Sequence, residues 1–258
     1  MFTADIHGRN ELLNAVLDRY LQQADVYIVG DAFHPTTYGN SSLTNQLIVD
    51  RNIKLLSGNG EHVLATTMYE SHTPTRLKCI TDVFRPTYNG GIFDDYGIEE
   101  PDVHTSLTGL LNKFDILRAK MEKAKHDKIF RTMQPFYEDA EIVAVHSGLV
   151  NSQSWEGQGG QKQELIEYGL SRQLEGRDWL IEPKQIFDPG HILSKTLSAS
   201  EYLGKILITG HDHSGESCDQ RVTDSGRRIR LGSKQDPGLP LFVYEKTSKL
   251  VVPVYAKA

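Results

Sequence analysis

Five short apolar runs in this chain each stop at a residue able to bind a metal ion. Phe2-Thr3-Ala4 runs into Asp5-Ile6-His7-Gly8, and Val26-Tyr27-Ile28-Val29 into Gly30-Asp31. Ile53-Lys54-Leu55-Leu56 runs into Ser57-Gly58-Asn59-Gly60, and Ile142-Val143-Ala144-Val145 into His146. Ile206-Leu207-Ile208-Thr209 runs into Gly210-His211-Asp212-His213. A short apolar run bounded by turn residues reads as a buried strand. Between the first three runs lie stretches with helical spacing. One spans Asn10 to Gln22, with Leu12, Leu13, Val16, Leu17, Tyr20 and Leu21 apolar; the other spans Leu43 to Asp50. Strand-helix-strand-helix-strand order implies a mostly parallel sheet covered by helices. Open α/β sheets bind ligands beyond the carboxyl ends of their strands, and every one of these polar groups falls there. The first run is short for a central strand, so the natural chain is expected to begin several residues earlier, or a tag to precede it.

The remaining sequence is read as part of one domain spanning 1–258. Residues 63–138 are helix-rich, and the apolar pattern from Leu107 to Phe136 carries many lysines, as a helical cap inserted over the sheet would. The tail alternates at Arg228 to Leu231, Leu241 to Tyr244 and Leu250 to Tyr255, which suggests a second sheet with antiparallel pairing.

Charge and cysteine content narrow the classes of function. The formal net charge is −6, which gives no support to nucleic-acid binding. No apolar run is long enough to cross a bilayer, so no membrane partner is expected. Two cysteines, Cys79 and Cys218, cannot make a disulfide framework and read as reduced thiols of a cytoplasmic protein.

The polar strand ends carry the chemistry. Carboxylate, imidazole and amide oxygen together suit two divalent ions of the Mn²⁺, Fe²⁺ or Zn²⁺ kind, with Mn²⁺ favoured; a closed structural zinc site would favour thiolates. Asp31 is the natural bridge, because one carboxylate can serve two ions. Asp5 and His7, two residues apart, can reach one ion, leaving Asn59, His146 and His211 for the other. Two ions about 3.5–4 Å apart can hold a bridging hydroxide and clamp a phosphoryl group for in-line attack. Taken singly, Asp-x-His is a surface pair, Gly-Asp a turn and His146 a satisfied core histidine. Five such groups in series, all at strand ends, have no comparable structural explanation.

The series Asp-x-His-Gly, Gly-Asp, Gly-Asn, His146-Ser147-Gly148-Leu149 and Gly-His resembles the calcineurin-like metallophosphoesterase superfamily. Within it, the chain is most similar to the branch of protein Ser/Thr phosphatases and symmetrical bis(5′-nucleosyl)-tetraphosphatases. Asn89-Gly90-Gly91 with Asp95-Tyr96-Gly97, and Pro135-Phe136-Tyr137-Glu138, resemble segments of its bacterial members. The resemblance implies an α/β fold, a two-sheet sandwich flanked by helices, and a dinuclear centre. It also implies hydrolysis of a phosphate ester or phosphoanhydride by a metal-bridging hydroxide. Expected substrates are a phosphorylated small molecule, a dinucleoside polyphosphate or a phosphoprotein.

Departures from the family pattern lie outside the metal ligands. Pro35 stands where the resemblance implies a phosphate-holding Arg, and His34 where it implies an Asp. Gly60 replaces the histidine that would protonate the leaving group, and Trp179-Leu180-Ile181 lacks a second phosphate-binding Arg. A phosphodiester carries less charge than a monoester and needs less cationic help, so diester hydrolysis is the expected bias. His34 could swing into the space left by Gly60 and act as the acid, with His62 the other candidate. Arg9 is either a substrate contact or a solvated residue of the first helical turn. Gly210-His211-Asp212-His213 also matches the wider pattern Gly-His-x-His, which makes His213 an additional ligand. The alternatives are a catalytically weak metal-containing binding or regulatory module with the phosphatase fold, and a purely structural α/β domain.

Overall fold

The computed structural model describes residues 1–32, 39–69, 73–80, 91–101, 104–134, 136–146, 205–211, 217–233 and 238–256, with backbone only at Asn59, His62, Thr66, Thr75, Lys78 and Cys79. Two five-stranded sheets organise these residues. In the first, β1 (Phe2–Thr3), β2 (Tyr27–Val29) and β3 (Lys54–Leu56) run parallel, with Thr3 beside Ile28 and Ile28 beside Leu55. The second contains β4 (Tyr137–Glu138), β5 (Ile142–Ala144), β6 (Ile206–Thr209), β7 (Val222–Thr223) and β8 (Arg228–Arg230), in the order β4-β5-β6-β8-β7. Its three central strands are parallel and its two edges antiparallel.

The tail does not form a sheet of its own. β9 (Leu241–Glu245) and β10 (Leu250–Val254) pair antiparallel with each other, and β9 then pairs with β1, Phe2 opposite Tyr244. They complete the first sheet, while β8 joins the second. Alternation along a strand states that one face is buried, not which sheet edge will receive it.

That alternation divides the interior. Val29, Leu56, Phe242 and Tyr244 of the first sheet meet Ile142, Ala144, Ile208 and Ile229 of the second, forming the layer between the sheets. Their neighbours Ile28, Leu55, Leu241 and Val243 point the other way, into a larger helix-sheet core. Helix α1 (Asn10–Tyr20) lays Leu12, Leu13, Val16, Leu17 and Tyr20 on that face. Helices α2 (Ser41–Asp50), α3 (Asn59–Tyr69), α4 (Thr73–Cys79), α5 (Gly91–Asp95), α6 (Leu107–Lys123) and α7 (Lys128–Thr132) follow. Phe93, Phe114, Leu117 and Phe130 from this stretch share the core with α1. The helical apolar pattern from Leu107 to Phe136 is carried by two helices, α6 and α7, between which the chain turns through Lys125 with φ +63°. That turn places His126 in the interior beside Tyr96.

Candidate metal centre

Asp5, Asp31, His146 and His211 each stand two residues beyond the end of a parallel strand: β1, β2, β5 and β6. Two strands belong to each sheet, so the side chains converge where the carboxyl ends of the two sheets meet. The loops continue the ladder: Asp5 N–H donates to Gly30 O at 3.1 Å, His7 N–H to Asp31 O at 3.0 Å and Gly8 N–H to Ala32 O at 2.9 Å. Asp5, His7, Asp31 and His211 all take positive φ, between 50° and 53°. Left-handed backbone at a non-glycine residue costs about 1–3 kcal/mol and gathers at functional sites.

Two triads result. One ligand atom each of Asp5, His7 and Asp31 lie within 4.8 Å of one another, and so do one each of Asp31, His146 and His211. Asp31 belongs to both. Asp5, His7, Asp31 and His146 are buried, and His211 is half-buried. The ring of His146 is oriented by its Nδ1, which donates to Val29 O at 2.9 Å. That bond fixes the tautomer that turns Nε2 toward Asp31 Oδ2, 3.5 Å away, and His211 Nδ1, 3.3 Å away. Burial disfavours a charged imidazole, but the carboxylates of Asp31 and Asp5 outweigh it and push His146 up to about 10. A divalent ion at Nε2 would take the place of that proton. Buried carboxylates, oriented imidazoles and a shared Asp31 are a donor set that fits two borderline divalent ions.

Glycine serves this site mainly by leaving room. Gly30 has φ +75°, but Gly58 and Gly210 do not have positive φ. A Cβ on Gly210 would lie 2.6 Å from Val29 O, 2.7 Å from Asp5 Oδ1 and 2.8 Å from His146 Nδ1. A Cβ on Gly58 would lie 2.7 Å from Glu61 Oε2.

Two residues acquire definite places. Arg9 is buried, not solvated: its Nε donates to Ile6 O at 3.0 Å and its Nη2 to Asp5 O at 2.8 Å, bracing the first ligand loop. Glu61, in the first turn of α3, was not singled out by its residue type. Its buried carboxylate accepts from Asp31 N and Gly58 N at Oε2 and from Ala32 N at Oε1, each at 2.8 Å. Burial, reinforced by the charge of Asp31, pushes Glu61 up to about 7. Gly60 N–H donates to Asp31 Oδ1 at 2.8 Å, so the bridging candidate is held from its backbone and its side chain. Asn59 and His62 both lie in the first turn of α3. His34, Pro35, residues 179–181 and His213 fall outside the described residues.

No family model matches the sequence, and no curated protein is detectably similar to it. Solved structures do match. The α/β sandwich of two mixed sheets flanked by helices is a fold that this chain shares with the first of them. One match is a "putative diadenosine tetraphosphatase", with TM-score 0.52 and 13% identity, covering 99% of this chain and 93% of that one. A hypothetical protein from Pyrococcus horikoshii matches with TM-score 0.46 and 12% identity over 99% and 87% of the two chains. A metallophosphoesterase from Sphaerobacter thermophilus matches with TM-score 0.43 and 14% identity over 99% and 88%. At such identities the likeness is one of fold.

Proposed function

We propose that this chain is a two-metal hydrolase of phosphate esters or phosphoanhydrides, biased toward diester and anhydride substrates. The observation that carries the reading is the pair of ligand triads sharing Asp31. Asp5 and His7 would hold one ion, His146, His211 and Asn59 the other, and Asp31 both, with His213 an extra ligand and Mn²⁺ the favoured metal. Such ions supply charge neutralisation at the phosphoryl group and an activated water. The chain's own residues set geometry: Val29 O orients His146, and Arg9 holds the loop that presents Asp5.

The bias follows from the helper side chains that the sequence replaces or uses elsewhere. Arg9 directs Nε and Nη2 to backbone carbonyls, Gly60 offers no side chain, and Pro35 stands in place of a cation. A monoester dianion with a poor leaving group needs such help more than a diester does. A dinucleoside polyphosphate is therefore a favoured substrate, and the description of the tetraphosphatase-like neighbour is in keeping with it. His34 and His62 are our candidates for the proton donor. The test incubates purified protein with Mn²⁺ and matched mono- and diester chromogenic substrates. Faster diester turnover is expected, with a pH-rate profile altered by His34→Ala or His62→Ala. Metal binding without turnover of any phosphate compound would favour the second reading, a binding or regulatory module, to which the missing side chain at Gly60 also points.

A further inference from the structure

Within the two-metal reading, on which this inference rests, Glu61 has a task that its residue type does not announce. Three of its hydrogen bonds go to backbone N–H groups. Its carboxylate spans two loops, taking the N–H groups of Asp31 and Ala32 after β2 and of Gly58 after β3. Both oxygens are used, the side chain is fully buried, and the three bonds are each 2.8 Å. A backbone donor from each loop meets at the single atom Oε2. The packing is tight enough that a Cβ at Gly58 would lie 2.7 Å from that atom.

Asp31 is thereby held at three points. Its N–H is bound by Glu61, its Oδ1 receives the N–H of Gly60, and its carbonyl receives the N–H of His7. The left-handed φ of Asp31, +51°, has to be maintained by its surroundings, and Glu61 is the side chain that grips the peptide on its amino side. Because Asp31 is common to both triads, whatever fixes its backbone fixes both metal positions together. Histidines 7 and 211 each belong to one triad only.

We infer that Glu61 is a positioning residue that clasps the loops after β2 and β3 and sets Asp31 for both ions. Glutamine at this place keeps one acceptor oxygen but must turn an amide toward a backbone donor, whereas alanine removes the clasp altogether. A graded series is expected. The test measures Mn²⁺ binding by calorimetry in wild type, Glu61→Gln, Glu61→Ala, His7→Ala and His211→Ala. It also follows amide hydrogen exchange in the metal-free proteins. Glu61→Gln should weaken both ions by about 10–100-fold, the range seen when groups supporting metal ligands are removed. His7→Ala and His211→Ala should each weaken mainly one ion. In the metal-free Glu61→Gln protein, the amides of Asp31, Ala32 and Gly58 should exchange faster while core amides of β6 do not. Unchanged exchange at these three amides, or loss of one ion only, overturns the inference even where wild type binds two ions. A uniform rise in exchange across the protein would make Glu61 merely structural and overturn it as well. Wild type binding no Mn²⁺ would instead overturn the two-metal reading, and this role with it.

Discussion

Placing a methyl group at Gly210 asks whether glycine stands beside a ligand for its backbone freedom or for its lack of volume. The added Cβ would sit 2.6 Å from Val29 O, 2.7 Å from Asp5 Oδ1 and 2.8 Å from His146 Nδ1. Two of these atoms, Val29 O and His146 Nδ1, are the partners of the bond that orients the His146 ring. Forcing apart a packed interior costs about 1–3 kcal/mol. Weakening one buried hydrogen bond adds roughly 1 kcal/mol. Gly210→Ala should therefore lose about 2–4 kcal/mol, at about 2–4 °C of Tm per kcal/mol for a domain of this size. Its Mn²⁺ affinity should fall by at least about 10-fold, because His146 can no longer keep its orientation. Gly226→Ala is the control: Gly226 has φ +87° but open space around its Cβ position. That substitution carries only left-handed strain of roughly 1–2 kcal/mol and should leave metal affinity alone. Thermal unfolding and calorimetric Mn²⁺ titration of both variants give the answer. A Gly210→Ala protein with wild-type stability and affinity would refute the steric argument.

Three other outcomes are expected. Burial lowers the pKa of His126, which joins Tyr96 Oη (2.7 Å) to Gln46 Oε1 (3.0 Å); Asp50 and Asp127 partly oppose the shift. The unfolded chain therefore binds the extra proton more readily, so stability is full above pH about 6.5 and declines on acidification, by at most about 1.4 kcal/mol per pH unit. Urea unfolding between pH 8 and 5 should show this decline in wild type and a flatter one in His126→Gln; parallel curves would count against it. Gly60→His should raise monoesterase kcat/KM by about 10²-fold or more if a proton donor is what the site lacks, and an unchanged mono-to-diester ratio would argue otherwise. Chelation should lower the Tm, since ligand at 100 times its Kd stabilises by about 2.7 kcal/mol, and a Tm indifferent to both EDTA and Mn²⁺ would contradict a bound metal.

Much of the centre was legible because strand ends advertise themselves. A short apolar run that stops at a metal-type residue, with or without an intervening Gly, marks the strand and its carboxyl end, and Asp5, Asp31, His146 and His211 come together there. Glu61 was hidden for a physical reason. Its partners are backbone N–H groups, two of them 29 and 30 residues away, and backbone donors leave no trace in residue types. Arg9 was ambiguous for the same reason, since it binds carbonyls. The turn at Lys125 leaves no mark in the sequence because apolar periodicity does not report a single left-handed residue. Which sheet received each tail strand depended on edge pairing, Phe2 with Tyr244, and not on the pattern within the strand.

The energetics of the centre argue against an accidental cluster. Asp5 and Asp31 are buried, and a pair of their oxygens lies within 4.8 Å. At an effective dielectric of about 20, two such charges repel by roughly 3–4 kcal/mol. Left-handed backbone at four candidate ligands adds about 1–3 kcal/mol each. Neither cost is recovered in the apolar core, where a pair of aliphatic side chains would pack without it. Fully buried Glu61 adds a third carboxylate, and its hydrogen bonds hold the other loops in the strained arrangement instead of relaxing them. A protonated His146 offsets part of the negative charge but leaves the geometry unexplained. Divalent cations would account for both features, because they would cancel the repulsion and use the donor directions that the strained loops impose. Asp31→Asn should thus separate the two effects. It relieves repulsion with Asp5 but also removes the carboxylate that pairs with His146, so the metal-free protein should change little in stability, while the stabilisation that Mn²⁺ confers should fall. A variant that lost stability equally with and without Mn²⁺ would show that Asp31 serves the fold and not the ions.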